Sequence, residues 1–288
     1  MSGRITRRQF LAGTVASGIA LHAPKLLAGP RLRSLTDRVK LGNTRIEVSY
    51  LGFGTGTKGT SRKSNQTKLG IVQFSRMINH AFDQGINYFD AADFYGTHEY
   101  LRSSLKRIPR EKYVLQTKIW YRTSKNAQED LDRFLCELGT DYIDVLFIHC
   151  VTEPTWATDL REVADVLAEA KQKGIIRAHG ISIHSLDVLK GVPENPWVDI
   201  CLARINPVGP HMDGNVQEVV PVLRKIHDTG KAVTGIKILG EGKIADQREK
   251  SLRYALGLEC VDSIVIGFES CDQIDDIVAI GKRVVPQV

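Results

Sequence analysis

The stretch Asn87-Tyr-Phe-Asp90-Ala-Ala-Asp-Phe-Tyr95-Gly96 decides how this chain is read. An apolar run ends in a carboxylate, and a phenol follows five residues later on a glycine-containing loop. Two later runs each end in one more polar group. Val114-Leu-Gln-Thr-Lys118 ends in a lysine, and Val145-Leu-Phe-Ile-His149 ends in a histidine. Taken singly, each residue has an ordinary reading. Asp90 can cap the next helix, Tyr95 can be a half-buried aromatic, Lys118 a surface lysine and His149 a satisfied core histidine. Their order shifts the balance, because each ends a strand-like run and the runs follow one another in consecutive β/α units. In a parallel barrel that end carries the chemistry.

Outward from this stretch the pattern alternates. A short strand, at Thr44–Val48, or a hairpin is expected before the barrel. Strand-like runs then recur at Tyr50–Phe53, Tyr88–Asp90, Val114–Lys118, Ile143–His149, Ala178–Ser182, Ile200–Arg204, Val233–Lys237 and Ser263–Ile266. Helix-period segments lie between them, among them Leu69–Gln84, Ala127–Leu138, Thr158–Lys171, Val216–His227 and Cys271–Val284. Eight strands with intervening helices imply a parallel sheet, and eight units imply a closed α/β barrel. The 288 residues suit one such (β/α)8 TIM barrel better than two domains. Strand-to-helix loops are short except at Gly54–Lys68 and Pro207–Asn215, and no low-complexity linker divides the barrel.

Residues 1–30 read as a separate object. They hold Arg4, Arg7, Arg8 and Lys25 and no acid. The Arg7-Arg8 pair precedes Phe10-Leu11 and an apolar, small-residue run to Leu21, which resembles a twin-arginine export signal. The run is too short to span a bilayer comfortably. Export machinery is therefore an expected partner, with a mature chain that is not membrane-inserted and resides in the periplasm or outside the cell. A basic amphipathic start to a cytoplasmic protein is the alternative. Residues 31–288 form the barrel domain. Without the first 30 residues, the net charge of +6 falls to +2, which is no nucleic-acid footprint. Five cysteines (Cys136, Cys150, Cys201, Cys260, Cys271) show no CxxC spacing, so they indicate neither a metal site nor a disulfide framework. His179, His184 and His211 read as structural or surface residues, since no second ligand stands at a metal-site spacing.

An Asp, a Tyr, a Lys and a His gathered at strand ends suit carbonyl reduction. A carbonyl that accepts hydride develops negative charge on oxygen and needs a nearby proton donor, worth roughly 10²–10⁴-fold in rate. The hydride must come from a cofactor, because no side chain supplies one. At this point the chain resembles the aldo-keto reductase family from about Leu41 onward. The motifs that carry the likeness are Leu51-Gly-Phe-Gly-Thr55, Asp90–Gly96, Thr117-Lys-Ile-Trp120, Leu146-Phe-Ile-His149, Gly180-Ile-Ser182, Leu239-Gly-Glu-Gly242 and Ile266-Gly267 with Asp272-Gln273. The resemblance implies a catalytic set of Asp90, Tyr95, Lys118 and His149. Tyr95 would be the general acid, Lys118 paired with Asp90 would lower the phenol pKa from about 10, and His149 would orient the carbonyl oxygen. It also implies NADP or NAD as cofactor, lying across the barrel mouth, and a small-molecule carbonyl substrate.

The cofactor contacts implied by the resemblance are Gly54, Thr55, Ser182, Leu239, Gly240, Gly242, Gly267, Glu269, Ser270 and Gln273. Gly267–Ser270 leads into a helix whose N-terminus can hold an anion, although ordinary turns are an equal reading of these glycine loops. Several positions depart from the family pattern. Ile183 stands where an Asn is usual, Leu202 where a Gln is usual, Ile236 where a stacking Tyr is usual, and Glu269 where an Arg usually meets the 2′-phosphate. Trp120 is expected to wall the substrate pocket, with packing under a loop as its alternative. Arg204, two residues after Leu202, is expected to point into the barrel mouth. There it would meet substrate, carboxamide or Asp90, or form a salt bridge to another barrel residue. The long C-terminal loop of many relatives is expected to be absent, leaving an open pocket. These departures leave a catalytically weak dinucleotide-binding or sensory barrel as the alternative function. A metal-dependent hydrolase using Asp90 and His149 lacks the ligand spacing.

Overall fold

The computed structural model describes residues 32–120 and 123–285. The export-signal reading therefore falls on residues outside the described ones. The first element is the expected hairpin, an antiparallel pair of β1 (Arg38–Lys40) and β2 (Glu47–Ser49), whose second strand lies a little later than Thr44–Val48. Its tip lies against the start of a later strand through an Asn43 N–H bond to the Gly230 carbonyl (2.8 Å). Leu41, Ile46 and Val48 are buried beneath it. The hairpin thus closes the N-terminal end of the barrel with apolar side chains.

Eight parallel strands follow: β3 (Leu51–Gly54), β4 (Tyr88–Asp90), β5 (Val114–Ile119), β6 (Ile143–Val151), β7 (Ile176–Ile183), β8 (Ile200–Arg204), β9 (Ala232–Ile236) and β10 (Ser263–Gly267). They close in sequence order, with β10 pairing β3. The expected strands all occur; half of them keep their expected length and the other half are one to three residues longer. The helices are α1 (Asn65–Lys68), α2 (Gly70–Asp83), α3 (His98–Leu105), α4 (Ser124–Leu138), α5 (Trp156–Asp159), α6 (Arg161–Gln172), α7 (Leu186–Gly191), α8 (Val216–Asp228), α9 (Arg248–Leu256) and α10 (Cys271–Val284). Among the described residues no helix is long and apolar enough to cross a membrane.

Local chemistry explains the boundaries. On α4, Ala127, Leu131, Phe134 and Leu138 are buried at helical spacing. Thr123 caps its first turn by accepting from the Asn126 N–H, and Gly139 ends it at φ 65°. Asn215 and Glu218 form a reciprocal capping box at the start of α8. The strands are buried on both faces, as a helix-covered parallel sheet requires. All six residues of β5 are buried.

One charge inside this apolar shell is fully compensated. Asp144 on β6 has no exposed surface. It accepts from Arg110 Nη2 (2.7 Å), Arg177 Nη1 (2.5 Å) and the Leu115 N–H (2.9 Å). It therefore ties β5, β6 and β7 together, and every carboxylate bond is charge-assisted or backbone-directed.

Gly180 sits in β7 opposite Ile200 of β8. A Cβ placed on Gly180 would stand 1.8 Å from the Ile200 carbonyl oxygen. Backbone cannot yield as a side-chain tip does, so Gly180→Ala is expected to cost at least about 1–3 kcal/mol. Urea unfolding of the two proteins measures this, and an unchanged midpoint would mean that β7 and β8 tolerate a wider spacing.

Candidate active site

The C-terminal ends of the strands surround a cavity of about 920 Å³. Asp90, Tyr95, Lys118 and His149 all line it. Asp90 ends β4, Lys118 stands in β5 and His149 in β6, so adjacent strands deliver three of the four. Tyr95 closes a short 3-10 turn, Asp93–Tyr95, directly after β4.

Lys118 is 1% exposed and its ammonium pairs with the Asp90 carboxylate. It also donates to the Ala91 carbonyl (2.7 Å) and lies 4.9 Å from the Tyr95 ring centroid. Asp90 accepts a further bond from Gln116 Nε2 (2.6 Å), and Gln116 in turn accepts from the Tyr88 hydroxyl. Burial pushes the Lys118 ammonium below its ordinary pKa, against the opposing pull of Asp90. The expected lowering of the Tyr95 phenol is not what the site produces. Burial pushes that phenol well above its ordinary value, and the Asp90 charge adds to the shift.

The turn that carries Tyr95 is bolted from behind. Asp93 accepts from Arg62 Nη1 (2.9 Å) and Arg133 Nη1 (2.8 Å). Glu137 accepts from the same two guanidiniums, at 2.9 Å each, and meets His98 Nδ1 at 2.7 Å. Burial alone would raise the Glu137 carboxyl, but these three partners hold it well below its usual range. Gly56 and Gly59 flank the Tyr95 ring so closely that a Cβ on either would come within 2.4 Å of it. The ring is thereby held in one plane. Its edge meets His149, with centroids 5.7 Å apart at 87°. Trp120 stacks on Phe94 (4.4 Å, 12°) and also meets His149, so it walls the cavity as expected.

Other expected contacts divide. Gly54, Ser182, Leu239, Gly242, Gly267, Glu269 and Gln273 line the cavity. Thr55 does not: its hydroxyl bonds the Asp90 carbonyl (2.8 Å) and Thr97 (2.9 Å), so it holds the strand end from outside. Gly240 packs against Pro210, and Ser270 is consumed as the cap of α10, accepting from the Gln273 N–H at 3.2 Å. Arg204 takes the salt-bridge alternative and does not line the cavity. Leu202 lines the cavity, whereas Arg204 Nε donates to both oxygens of Asp213 at 3.1 and 3.2 Å. A guanidinium at the barrel rim needs a partner, and the loop after β8 brings one.

Several lining residues escaped the sequence reading. Lys237 directly follows β9 at φ 58° and pairs with Glu241 (2.7 Å). Asn65 donates to Glu269 (2.8 Å). His184 lines the cavity, where a surface or structural role was expected. It stands two residues after Ser182, so the period-two rule applied to Leu202 could have found it.

A dinucleotide can be tested against these residues. Ser182 lines the cavity, and its buried Oγ forms no hydrogen bond among the described residues, so the cavity end of β7 holds a polar atom in need of a partner. Gly242 and Gly267 offer open backbone, and the N-terminus of the 14-residue α10 lies beside them. Ile236 and Leu202 give an apolar floor. The residues fit a nicotinamide dinucleotide. Among the described residues, no three His, Cys, Asp or Glu side chains group as a metal site.

Comparison with known proteins points the same way. The model of the Aldo/keto reductase family matches residues 50–252. L-galactose dehydrogenase of Arabidopsis thaliana is 25% identical over 83% of this chain and 86% of its own length. The NADH-specific methylglyoxal reductase of Escherichia coli (strain K12) is 28% identical over 71% of this chain and 68% of its own. Among solved structures, an aldo-keto reductase from Bacillus halodurans in its holo form superposes with a TM-score of 0.70 at 22% identity, over 86% of this chain and 95% of that one. With the family model spanning most of the barrel, this chain belongs to the aldo/keto reductase family, enzymes that exchange hydride between NAD(P)H and carbonyl compounds.

Proposed function

We propose that the chain reduces an aldehyde or ketone to an alcohol, or runs the reverse, with Tyr95 as the general acid. The observation that carries this reading is the convergence of Asp90, Tyr95, Lys118 and His149 on one cavity wall. The bound dinucleotide supplies hydride. Ser182, Leu239, Gly242, Gly267 and Gln273 would hold it along the wall. The Tyr95 phenol keeps its proton at neutral pH because burial raises its pKa, so it is charged with the proton that a developing alkoxide takes. Lys118, buried and positive beside the ring, offsets the negative charge left on the phenol. Asp90 and the Ala91 carbonyl keep that ammonium in place. His149 directs the carbonyl oxygen towards the phenol. The cavity suits a small polar carbonyl compound, and the names of two relatives, for L-galactose and for methylglyoxal, supply the first members of a substrate panel.

Tyr95→Phe keeps the ring between Gly56 and Gly59 and removes only the transferable proton. Carbonyl reduction is expected to fall by roughly 10²–10⁴-fold while dinucleotide affinity holds. Lys118→Met is expected to lose activity by removing the counter-charge. A Tyr95→Phe protein that reduces the panel at the parental rate would overturn the assignment. A parent that binds dinucleotide yet turns over nothing would support the weak-binder alternative.

Cofactor choice follows from the same wall. Glu269 faces the cavity with Asn65 as its partner, and Arg248, also on the wall, is paired with Asp276. A 2′-phosphate carrying roughly −1.5 to −2 charges is repelled by this carboxylate, whereas a free ribose hydroxyl can donate to it. NAD is therefore expected to compete well with NADP, and Glu269→Arg to move preference towards NADP. Paired titrations decide this, and a parent binding NADP a hundredfold more tightly would exclude Glu269 from the ribose.

We also propose that the chain is exported through the twin-arginine route, on the strength of Arg7-Arg8 and the acid-free segment behind them. Replacing both with Lys is expected to retain the protein in the cytoplasm with lysate activity unchanged. Equal recovery of parent and double-Lys forms outside the cytoplasm would remove export from the account.

A further inference from the structure

Two cavity-wall residues without an assigned role stand side by side at the ends of β6 and β7: Cys150 and His184. Cys150 has φ 55°, a left-handed conformation that a residue with a Cβ adopts only when its surroundings impose it. It coincides with a shift of register between Ile148 and Val151 in the β6–β7 ladder. That irregularity turns Sγ towards β7, where it is in hydrogen-bond contact with His184 Nδ1. The His184 backbone is pinned as well, its N–H donating to the Val151 carbonyl at 2.9 Å.

The contact selects a tautomer. Burial, followed by the charges of Arg204, Lys237 and Lys118, pushes the His184 imidazole down to about 4, so the ring is neutral at ordinary pH and carries one N–H. A thiol is a weak acceptor, and a bare imidazole nitrogen is a good one. The favoured arrangement has the thiol donating to Nδ1, which leaves the ring proton on Nε2. Among the described residues no hydrogen bond uses Nε2. The same wall holds Ser182, two residues earlier on the same strand face, whose buried hydroxyl forms no hydrogen bond among the described residues.

We propose that His184, oriented by Cys150, is a positioning residue for the nicotinamide carboxamide, supplying through Nε2–H the hydrogen bond that Ile183 and Leu202 cannot. The proposal rests on the reading of the cavity as a nicotinamide dinucleotide site. Ile183 is buried away from the wall, and Leu202 on the wall has no polar atom. His184 and Ser182 thus form the polar pair at the end of β7.

The test compares ligands with and without the nicotinamide. NADH and ADP-ribose, or NADPH and 2′-phospho-ADP-ribose if the parent prefers phosphate, are titrated by fluorescence or calorimetry against the full chain. The parent is expected to bind the intact dinucleotide more tightly than its nicotinamide-free counterpart. His184→Leu is expected to weaken the intact dinucleotide about tenfold, the size of one hydrogen bond, with the truncated ligand unchanged. His184→Gln, which retains a donor, is expected to recover most of the loss, and Cys150→Val to fall between. Should His184→Leu fail to fold, the contrast between His184→Gln and Cys150→Val carries the measurement, and equal affinity in both would overturn the proposal. Parallel loss for both ligands would show a merely structural role, and unchanged affinity would show no contact. Either overturns the proposal while a carbonyl-reducing parent leaves the proposed function standing. A parent that binds no dinucleotide overturns both.

Discussion

The ion pair between Lys118 and Asp90 is the constraint around which the rest of the site is arranged. Both groups are almost wholly buried at the rim of the barrel. Each would pay a large desolvation penalty alone, so neither is stable there without the other. Their remaining bonding capacity is taken up by Gln116 and the Ala91 carbonyl. Because Asp90 ends β4 and Lys118 lies in β5, the pair also locks neighbouring strands in register at the point where the barrel stops being a scaffold and starts being a site.

What surrounds the pair divides into rigid support and open wall. The support lies behind Tyr95, where Arg62 and Arg133 bridge Asp93 and Glu137 and so join the loop after β3, the turn after β4 and helix α4. Most of these groups are half-buried, which makes the bonds stronger than surface pairs without the full cost of burial. Gly56 and Gly59 clamp the ring from the other direction. The cavity lining is apolar at Leu202 and Ile236 and charged at Lys237, Glu241 and Glu269.

The electrostatics of the wall qualify the usual picture of an activated phenol. Burial, with the Asp90 charge, raises the Tyr95 phenol and keeps the proton on oxygen. That state suits an acid that must wait, protonated, for negative charge to develop nearby. Lys118 beside the ring stabilises the phenolate left after transfer, which opposes the rise caused by burial. The same surroundings keep His184 neutral. Two titratable groups in one cavity are thus held in their uncharged forms, in each case chiefly by burial, with neighbouring anions adding to it at Tyr95 and neighbouring cations at His184.

Most of the architecture was legible in the sequence. Fully buried strands announce themselves as β-rich runs, and helices by their 3.6-residue stripe, so the eight units and their order could be counted. Residues at strand ends were legible for the same reason: a barrel converts position along a strand into position in space, which placed Asp90, Tyr95, Lys118 and His149 together before any coordinates. Contacts made by loops were not legible. Arg204 met Asp213, Thr55 turned to the Asp90 carbonyl, and Ser270 capped its own helix, because each partner arrives from a different segment or by a local bond that spacing does not encode. The pairing of Cys150 with His184 depends on a shift in register and one left-handed residue. The sequence by itself determined the barrel and the chemical groups at its mouth, since both follow from periodicity along the chain. Only the tertiary structure decided which groups are paired, neutral or facing the cavity, since those depend on distances and dielectric between segments remote in sequence.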